Sequence, residues 1–288
     1  MKNRKAEEQV VFIRSIDKGV KKLVAVMLTL AAALVCFFPV YWMIATSLKT
    51  QLDFLEIPPK LIFKPTLDNF RYVLARADFA LAYRNSFIIS FSAVSLALLF
   101  GLPASYGISR FRFRFRSVLS FWVLSTRFIP PVVVIIPFYL IFRTLGLINT
   151  LKGMILIHLV AALPLVIWIM YSFFKEVPEE LEECAVLDGA SPFMVFLRIV
   201  LPLVSPGIVA TAVIALMGSW NEMLYSMILT TPDTRPLTVA IYNFVSFEQI
   251  AWGNLCAAAV LAIAPILLFT FLIQRYLVSG LTFGAVKG

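Results

Sequence analysis

The sequence is poor in charged residues and in cysteine for a chain of its length. Only 14% of its 288 residues are Asp, Glu, Lys or Arg, whereas 61% are hydrophobic and the mean hydropathy is +0.92. Soluble globular chains carry about 25% charged residues, so a soluble domain could not cover this much apolar surface. Cys36, Cys184 and Cys256 stand far apart and fit neither a disulfide framework nor a metal site.

Motifs of several enzyme classes are also missing. The chain has no G-x-x-x-x-G-K-[ST] loop for nucleotide phosphates, no H-E-x-x-H metal motif and no G-x-S-x-G nucleophile motif. We therefore expect no catalytic site, no metal and no cofactor on this chain. If ATP powers its activity, another chain must hydrolyse it.

Long apolar runs predict an all-α polytopic membrane protein. A membrane-spanning helix needs about 20 apolar residues. Six runs reach that length: 23–48, 86–109, 117–142, 151–174, 203–223 and 255–276. Several of them contain proline: Pro39, Pro103, Pro130, Pro131, Pro137, Pro164, Pro206 and Pro265. Membrane helices tolerate such breaks, so the prolines indicate either a bundle that lines a path or an ordinary set of membrane prolines.

Basic residues predict the orientation in the membrane. The N-terminal segment 1–22 is rich in Lys and Arg, and the link RFRFRFR, Arg110 to Arg116, holds four arginines in seven residues. The positive-inside rule favours both in the cytoplasm, together with the loop 174–202 and the C-terminal tail 277–288. The net charge of +9 is then explained by topology and anionic lipid headgroups, and we expect no nucleic-acid partner.

The loop 174–202 is an acidic island in this apolar chain. Four glutamates follow Val177-Pro178, where the positive end of a helix dipole favours them. Gly189 predicts a left-handed helix stop, and Ser191-Pro192 predicts a second helix start. The loop should therefore form two short helices around a sharp turn. Its small residues suit close contact with a partner, although a surface helix that only joins two spans fits the residues as well.

The spacing within this loop resembles a known motif. Glu183-Cys184-Ala185, then three residues, Gly189, nine residues and Ile199-x-Leu201-Pro202 is similar to the EAA motif of ABC-importer permeases, EAA-x3-G-x9-I-x-L-P. The one departure is Cys184, where the family usually has alanine. Six spans, the motif between spans 4 and 5 and the tail GLTFGAVKG extend the resemblance to the maltose-transporter type of sugar permease, the shorter subunit of a permease pair.

The resemblance implies a function and a set of partners. The chain would form half of the path for a mono-, di- or oligosaccharide or a glycerol phosphate in a bacterial inner membrane. Its partners would be a second permease subunit, a dimeric cytoplasmic ATPase that carries ATP and Mg, and an extracytoplasmic solute-binding protein. The acidic loop would be the coupling helix that docks on the ATPase. The coupling residues implied are Glu182, Glu183, Cys184, Ala185, Asp188, Gly189 and Ala190.

Ionisable residues in or near the spans are further candidates. Arg127 lies within the third span, where a charge is costly and by default functional, either on the translocation path or paired with backbone or another subunit. Trp220, Asn221 and Glu222 at the outer end of span 5 are expected on the path or its gate, or as an interfacial anchor. His158, the only histidine, is expected to bond another helix, since no ionisable group lies near it in sequence. A transporter that works alone is the alternative, but the spans hold almost no carboxylates for coupling ions.

Overall fold

The structure is a computed structural model of the whole chain. It describes the backbone of residues 2–50, 53, 56, 58, 60–242, 244 and 251–282, and the side chains of residues 21–50, 53, 56, 58, 60–242, 244 and 251–271. The chain divides into two units, Met1–Phe70 with Trp252–Val260 and Arg71–Ala251 with Leu261–Gly288.

Regular structure in the described residues is helical. In chain order the helices are α1 (Lys2–Ser47), α2 (Asp68–Ala75), α3 (Ala77–Arg110), α4 (Arg116–Phe128), α5 (Pro131–Thr144), α6 (Leu151–Glu176), α7 (Glu179–Leu187), α8 (Pro192–Leu203), α9 (Ser205–Trp220), α10 (Leu224–Leu229), α11 (Leu237–Tyr242) and α12 (Trp252–Thr282). Helix α4 ends in a 3₁₀ turn, and α8 contains a π-helical turn at Phe196–Val200.

In the part of the chain that the structure describes, four segments are long and apolar enough to cross a membrane as single helices. They are Lys21–Ser47, Ala77–Arg110, Leu151–Glu176 and Trp252–Phe271. Two further segments pass the same test only as bent pairs, α4 with α5 at 98° and α8 with α9 at 76°. The all-α membrane fold predicted from the sequence is confirmed. The predicted third span, 117–142, is two helices at a steep angle, and the predicted tail 277–288 begins as helix to Thr282, with 283–288 outside the described residues.

Adjacent prolines produce the break between α4 and α5. Pro130 is extended, with φ −60° and ψ 131°, and Pro131 opens α5 at its first position. A proline restricts the residue before it to extended conformations and lacks the N–H that a continuous helix needs. Pro103 and Pro164, by contrast, lie inside the long helices α3 and α6.

The first unit is organised around the end of α1. Asn69 donates its side-chain amide to the carbonyl oxygens of Ser47 and Lys49, at 2.9 and 2.8 Å. Since the last carbonyls of a helix have no partner within it, this amide satisfies the end of α1. Lys49 is buried, with its ammonium 4.8 Å from the centre of the Trp42 ring, a cation–π contact.

Helices α3, α6 and α9 form the centre of the second unit. At Gly101 in α3 an added Cβ would lie 2.6 Å from Val166 of α6, and at Gly207 in α9 it would lie 2.6 Å from the Phe173 ring. Glycine therefore allows these helices to approach closely, as small residues do in membrane bundles. Val166, with Phe174 further along α6, is completely buried in the core between them.

The end of this bundle away from the α7 loop, which we call the far end, is held by side chains that bond loop backbone. Asn85 of α3 donates to the carbonyls of Asp233 and Arg235, at 3.0 and 3.1 Å, and Ser86 accepts the amide of Leu237 at 2.7 Å. Asn149, just before α6, has a positive φ of 56°. These bonds, with the bond from the Thr231 amide to Asn149 Oδ1 at 3.1 Å, fix the 230–237 segment on the ends of α3 and α6.

Candidate functional site

The acidic loop folds as two capped helices around a glycine turn. Helix α7 begins at Glu179, directly after the extended Pro178, and stops at Gly189, whose φ is +88°. The amide of Ala190 donates to the carbonyl of Ala185 at 3.0 Å, and the Ser191 hydroxyl accepts the amide of Met194 at 3.3 Å. The left-handed stop and the serine cap predicted from the sequence are confirmed.

One of the four glutamates ties α7 to helix α3. Glu182 accepts from Arg110 Nε and from the Tyr106 hydroxyl, each at 2.6 Å. The same arginine donates through Nη2 to the carbonyl of Val177 at 2.6 Å, so it holds the chain on both sides of Pro178. The side chains of Arg110 and Glu182 are only 9% and 12% exposed. A charge-assisted pair that is this well shielded is much stronger than a surface ion pair.

The Tyr106 ring extends the same attachment into the core. It lies 5.6 Å from the Phe174 ring of α6 and 4.8 Å from the Phe196 ring of α8, measured between ring centres. Helices α3, α6, α7 and α8 therefore meet at one tyrosine. A displacement of α7 must move these helices or break their contacts, because packed cores do not deform continuously.

The arginine-rich link has two different roles. Arg110 is the last residue of α3 and turns toward α7, while Arg116 donates to the carbonyl of Ser109 at 2.9 Å. Phe111, Phe113 and Phe115 between them are exposed. The aromatic residues of this strip suit a membrane interface. Its first arginine, Arg110, instead binds the acidic loop through Glu182.

The other residues predicted for coupling lie mostly on the outside of the loop. Glu183, Cys184 and Asp188 are exposed, and Ala185 and Ala190 are half-buried against the core. Beside them Leu187 is 87% exposed and Phe193 is 70% exposed. The loop thus presents acidic groups and large apolar side chains together, whereas Glu182 faces inward.

A cavity, lined in part by the polar residues Arg127, His158, Ser219 and Glu222, lies where the α4–α5 break meets α6 and α9. Its volume is about 280 Å³. His158 Nδ1 lies 2.7 Å from the Ser219 hydroxyl, and His158 Nε2 lies 3.5 Å from Glu222 Oε2. Arg127 donates through Nη1 to the carbonyl of Ala161 at 3.2 Å. The expectation of a helix–helix bond for His158 is confirmed, and its partner is α9.

Glu222 also holds helix α10. Its carboxylate accepts the amides of Tyr225 and Ser226 at 2.7 and 3.1 Å, and the Ser226 hydroxyl at 2.8 Å. A carboxylate at the start of a helix satisfies amides that have no partner within the helix and opposes the positive end of its dipole. This residue therefore joins the cavity to the far end of the bundle.

The two neighbours of Glu222 face elsewhere. Trp220 is buried, donates its indole N–H to the carbonyl of Ala262 at 3.2 Å and packs edge-on against the Phe87 ring. Asn221 is exposed and donates to the carbonyl of Met217 in its own helix at 2.8 Å. Of the four residues predicted for the path, the structure brings Arg127 and Glu222 together at the cavity and leaves these two outside it.

Sequence reasoning missed three residues that bind predicted ones: Tyr106 and Arg110 beside Glu182, and Ser219 beside His158. Tyr106 and Arg110 are separated from Glu182 by more than 70 residues, and Ser219 by 61 residues from His158. Their signal in the sequence was a polar residue on an apolar helix, which does not name the partner. No group of three or more His, Cys, Asp or Glu residues that could hold a metal occurs in the part of the chain that the structure describes.

These features define a polytopic α-helical membrane protein with a capped acidic loop between its fourth and fifth apolar segments. Residues 85–283 match the family described as the binding-protein-dependent transport system inner membrane component. The chain belongs to this family, whose members are permease subunits of transporters and not enzymes. The resemblance to maltose-type sugar permeases of ABC importers predicted from the sequence is confirmed.

Individual relatives cover nearly the whole chain. It is 31% identical to the trehalose/maltose transport system permease protein MalG of Thermococcus litoralis, over 94% of this chain and 99% of that protein. It is 35% identical to the trehalose transport system permease protein SugB of Mycobacterium tuberculosis, over 87% and 92%. Among solved structures, a bacterial ABC transporter involved in the import of the acidic polysaccharide alginate matches with a TM-score of 0.78 and 22% identity, over 89% of this chain and 96% of that one. That likeness concerns the fold.

Proposed function

We propose that this chain is one of two permease subunits of an ATP-driven sugar importer. It forms half of the translocation path with a second permease subunit, and an extracytoplasmic binding protein delivers the sugar. A dimeric ATPase on the cytoplasmic side binds ATP and Mg and contacts the α7 loop. Both termini are cytoplasmic, which agrees with the basic residues of the N-terminal segment and of the 110–116 link. The carbohydrate permeases among its relatives support a sugar as the cargo.

The observation that carries this proposal is the different environment of two neighbouring glutamates on α7. Glu182 is shielded and bound to α3, while Glu183 is exposed beside Leu187. Helix α7 is bound to α3 on its inward side and carries acidic and apolar side chains on its outward side. Such a helix can transmit a force from a docked partner to the bundle. A loop that merely joined two spans would not need a shielded ion pair to a third helix.

Two consecutive helices of the chain, α8 and α9, connect the loop to the cavity. Helix α8 follows the glycine turn, includes the π-helical turn at Phe196–Val200 and meets α9 at an angle of 76°. Helix α9 then carries Ser219 at the cavity. Movement of the loop therefore reaches the proposed path through two helices, and π-turns often mark such functional positions.

Co-purification and coupled transport test the proposal. The chain, extracted from the membranes of its own host in mild detergent, should be recovered with an ATPase and a second permease. In liposomes, Glu183→Ala should lower sugar uptake by about tenfold or more, because a charged interface contact of about 2 kcal/mol is lost. Glu180→Ala is the matched control, since Glu180 is exposed on the same helix but lies outside the EAA motif.

Recovery of the chain as an active transporter without an ATPase would refute the proposal and favour a secondary transporter. Equal uptake by the Glu183→Ala and Glu180→Ala complexes would refute the specific role of Glu183. Membrane insertion of each variant is measured alongside, so that a folding defect is recognised.

A further inference from the structure

The cavity beside Arg127 and Glu222 has the composition of a small-ligand site. Apolar side chains, including Leu165 and Ile214, share its lining with Arg127, His158 and Glu222. Ligand sites in proteins are mostly apolar with a few placed polar groups, and pockets for drug-sized ligands have volumes of about 300–1,000 Å³. A cavity of about 280 Å³ is therefore suited to one small ring and not to a long chain.

His158 leaves one ring nitrogen unsatisfied at this cavity. Its side chain is 1% exposed, and Nε2 makes no hydrogen bond to any residue of the described part. Glu222 Oε2 is the nearby charged atom, at 3.5 Å, but its carboxylate already accepts from the start of α10. A buried polar atom without a partner is unfavourable in an apolar environment. Nε2 is shielded in this conformation, so a ligand hydroxyl reaches it once His158 and Glu222 move apart, and the bond then satisfies the ring nitrogen.

Arg127 supplies donors at the same cavity. Within the described residues its guanidinium makes one hydrogen bond, to the carbonyl of Ala161. A guanidinium has five N–H donors in a fixed plane, so several stay available for a ligand. That bond holds the Arg127 side chain against α6, at the end of α4 just before the break that separates it from α5.

Gly218 lines the cavity at a position where a larger side chain has room. A Cβ added there would meet no atom within 4 Å, although the residue lies in α9. By contrast, a Cβ at Gly207 in the same helix would collide with Phe173. Because Gly218 lines the cavity and has open space around an added Cβ, a larger side chain there can reduce the cavity without displacing a neighbouring helix.

We propose that this cavity binds one ring of a neutral sugar during transport, so that this subunit contacts the substrate itself. Sugar hydroxyls both donate and accept, which matches a ring nitrogen and a guanidinium together. Arg127 and Glu222 carry opposite charges, which favours a neutral ligand over an anion. Leu165 and Ile214 provide apolar surface for the C–H face of the ring. The inference rests on the proposed function in sugar import.

The test uses the complete transporter in liposomes with its binding protein. A panel of radiolabelled glucose, maltose, trehalose and maltotriose identifies what the unaltered complex imports. Gly218→Leu and Arg127→Gln should then lower uptake at low sugar concentration by about tenfold or more, as loss of a pocket contact does. ATP hydrolysis stimulated by the loaded binding protein should stay within about twofold, because the α7 loop is unchanged.

Two matched variants accompany these. Gly107→Leu places the same side chain at a helical glycine that is not on the cavity, where the nearest atom to an added Cβ is 3.9 Å away, and Arg143→Gln removes an exposed arginine of α5 that is not on the cavity either. Both should import sugar like the unaltered complex.

Unchanged uptake by Gly218→Leu would overturn the inference. Parallel loss of uptake and of stimulated ATP hydrolysis would overturn it too, since the cavity would then serve the conformational cycle and not the sugar. If the unaltered complex imports no sugar with ATP, the proposed function itself fails, and this inference fails with it.

Discussion

Arg110 and Glu182 face each other across 2.6 Å, although they lie 72 residues apart in the chain. The arginine ends the long helix α3, and the glutamate belongs to the short helix α7. Because the pair is shielded and is completed by the Tyr106 hydroxyl, it fixes the orientation of α7 on the bundle. The exposed residues of the loop owe their position to this bond.

Removal of this anchor should weaken the fold and the transport activity together. Arg110→Ala leaves the Glu182 carboxylate shielded and without its cation, which costs about 3 kcal/mol in comparable buried pairs. Thermal unfolding of the purified transporter measures this loss, and uptake measures its effect on coupling. The matched control is Asp78→Asn, which breaks the exposed Arg76–Asp78 pair of similar length, 2.7 Å, and should cost less than about 1 kcal/mol. Equal effects of both variants would show that the anchor is an ordinary surface pair.

Replacement of Gly189 should distort the turn without any steric clash. A Cβ there would meet no atom, but a φ of +88° is unfavourable for residues with a side chain, by about 1–2 kcal/mol. Gly189→Val should therefore lower both loop stability and uptake, and Gly189→Pro should abolish uptake because its φ is fixed near −65°. Gly107→Ala, at a helical position with free space, should have little effect. Full uptake by the valine and proline variants would contradict this role of the turn.

The Asn149 side chain should prove to be the main link between the loop before α6 and the loop that follows α10. Its Oδ1 accepts the amide and hydroxyl of Thr231 and the hydroxyl of Thr234. Asn149→Ala removes these bonds at about 1 kcal/mol each and also leaves alanine at a positive φ. Its thermal midpoint should fall by several degrees, whereas Asn149→Asp retains an acceptor and should fall less. If both variants melt alike, the acceptor oxygen is not what holds the loops.

Glu222 should protect the backbone of α10 from hydrogen exchange. Glu222→Ala removes the acceptor for the amides of Tyr225 and Ser226, a cap worth about 1–2 kcal/mol. Exchange at residues 224–229 should accelerate by about tenfold, since about 1.4 kcal/mol corresponds to that factor. Asn221→Ala, which removes only an exposed bond within α9, is the control. Unchanged exchange after Glu222→Ala would show that α10 is held by its packing alone.

Local features of the acidic loop could be read from the sequence. The left-handed stop at Gly189 and the cap at Ser191 depend on residues within a few positions of each other, and the structure has both. The family resemblance placed Glu182 and Glu183 together among the coupling residues. It could not separate Glu182 from Glu183, because that distinction depends on which helix stands behind α7.

The sequence by itself determined the membrane class, the apolar segments and the family. Those properties follow from composition, run length and motif spacing, which act locally along the chain. Only the tertiary structure decided that the third segment is bent by 98°, that Arg110 holds Glu182 and that His158 meets Ser219 and Glu222. The reason is physical: hydrophobicity places a helix in the bilayer, but the partner of a polar side chain depends on how helices pack, and that packing joins residues far apart in sequence.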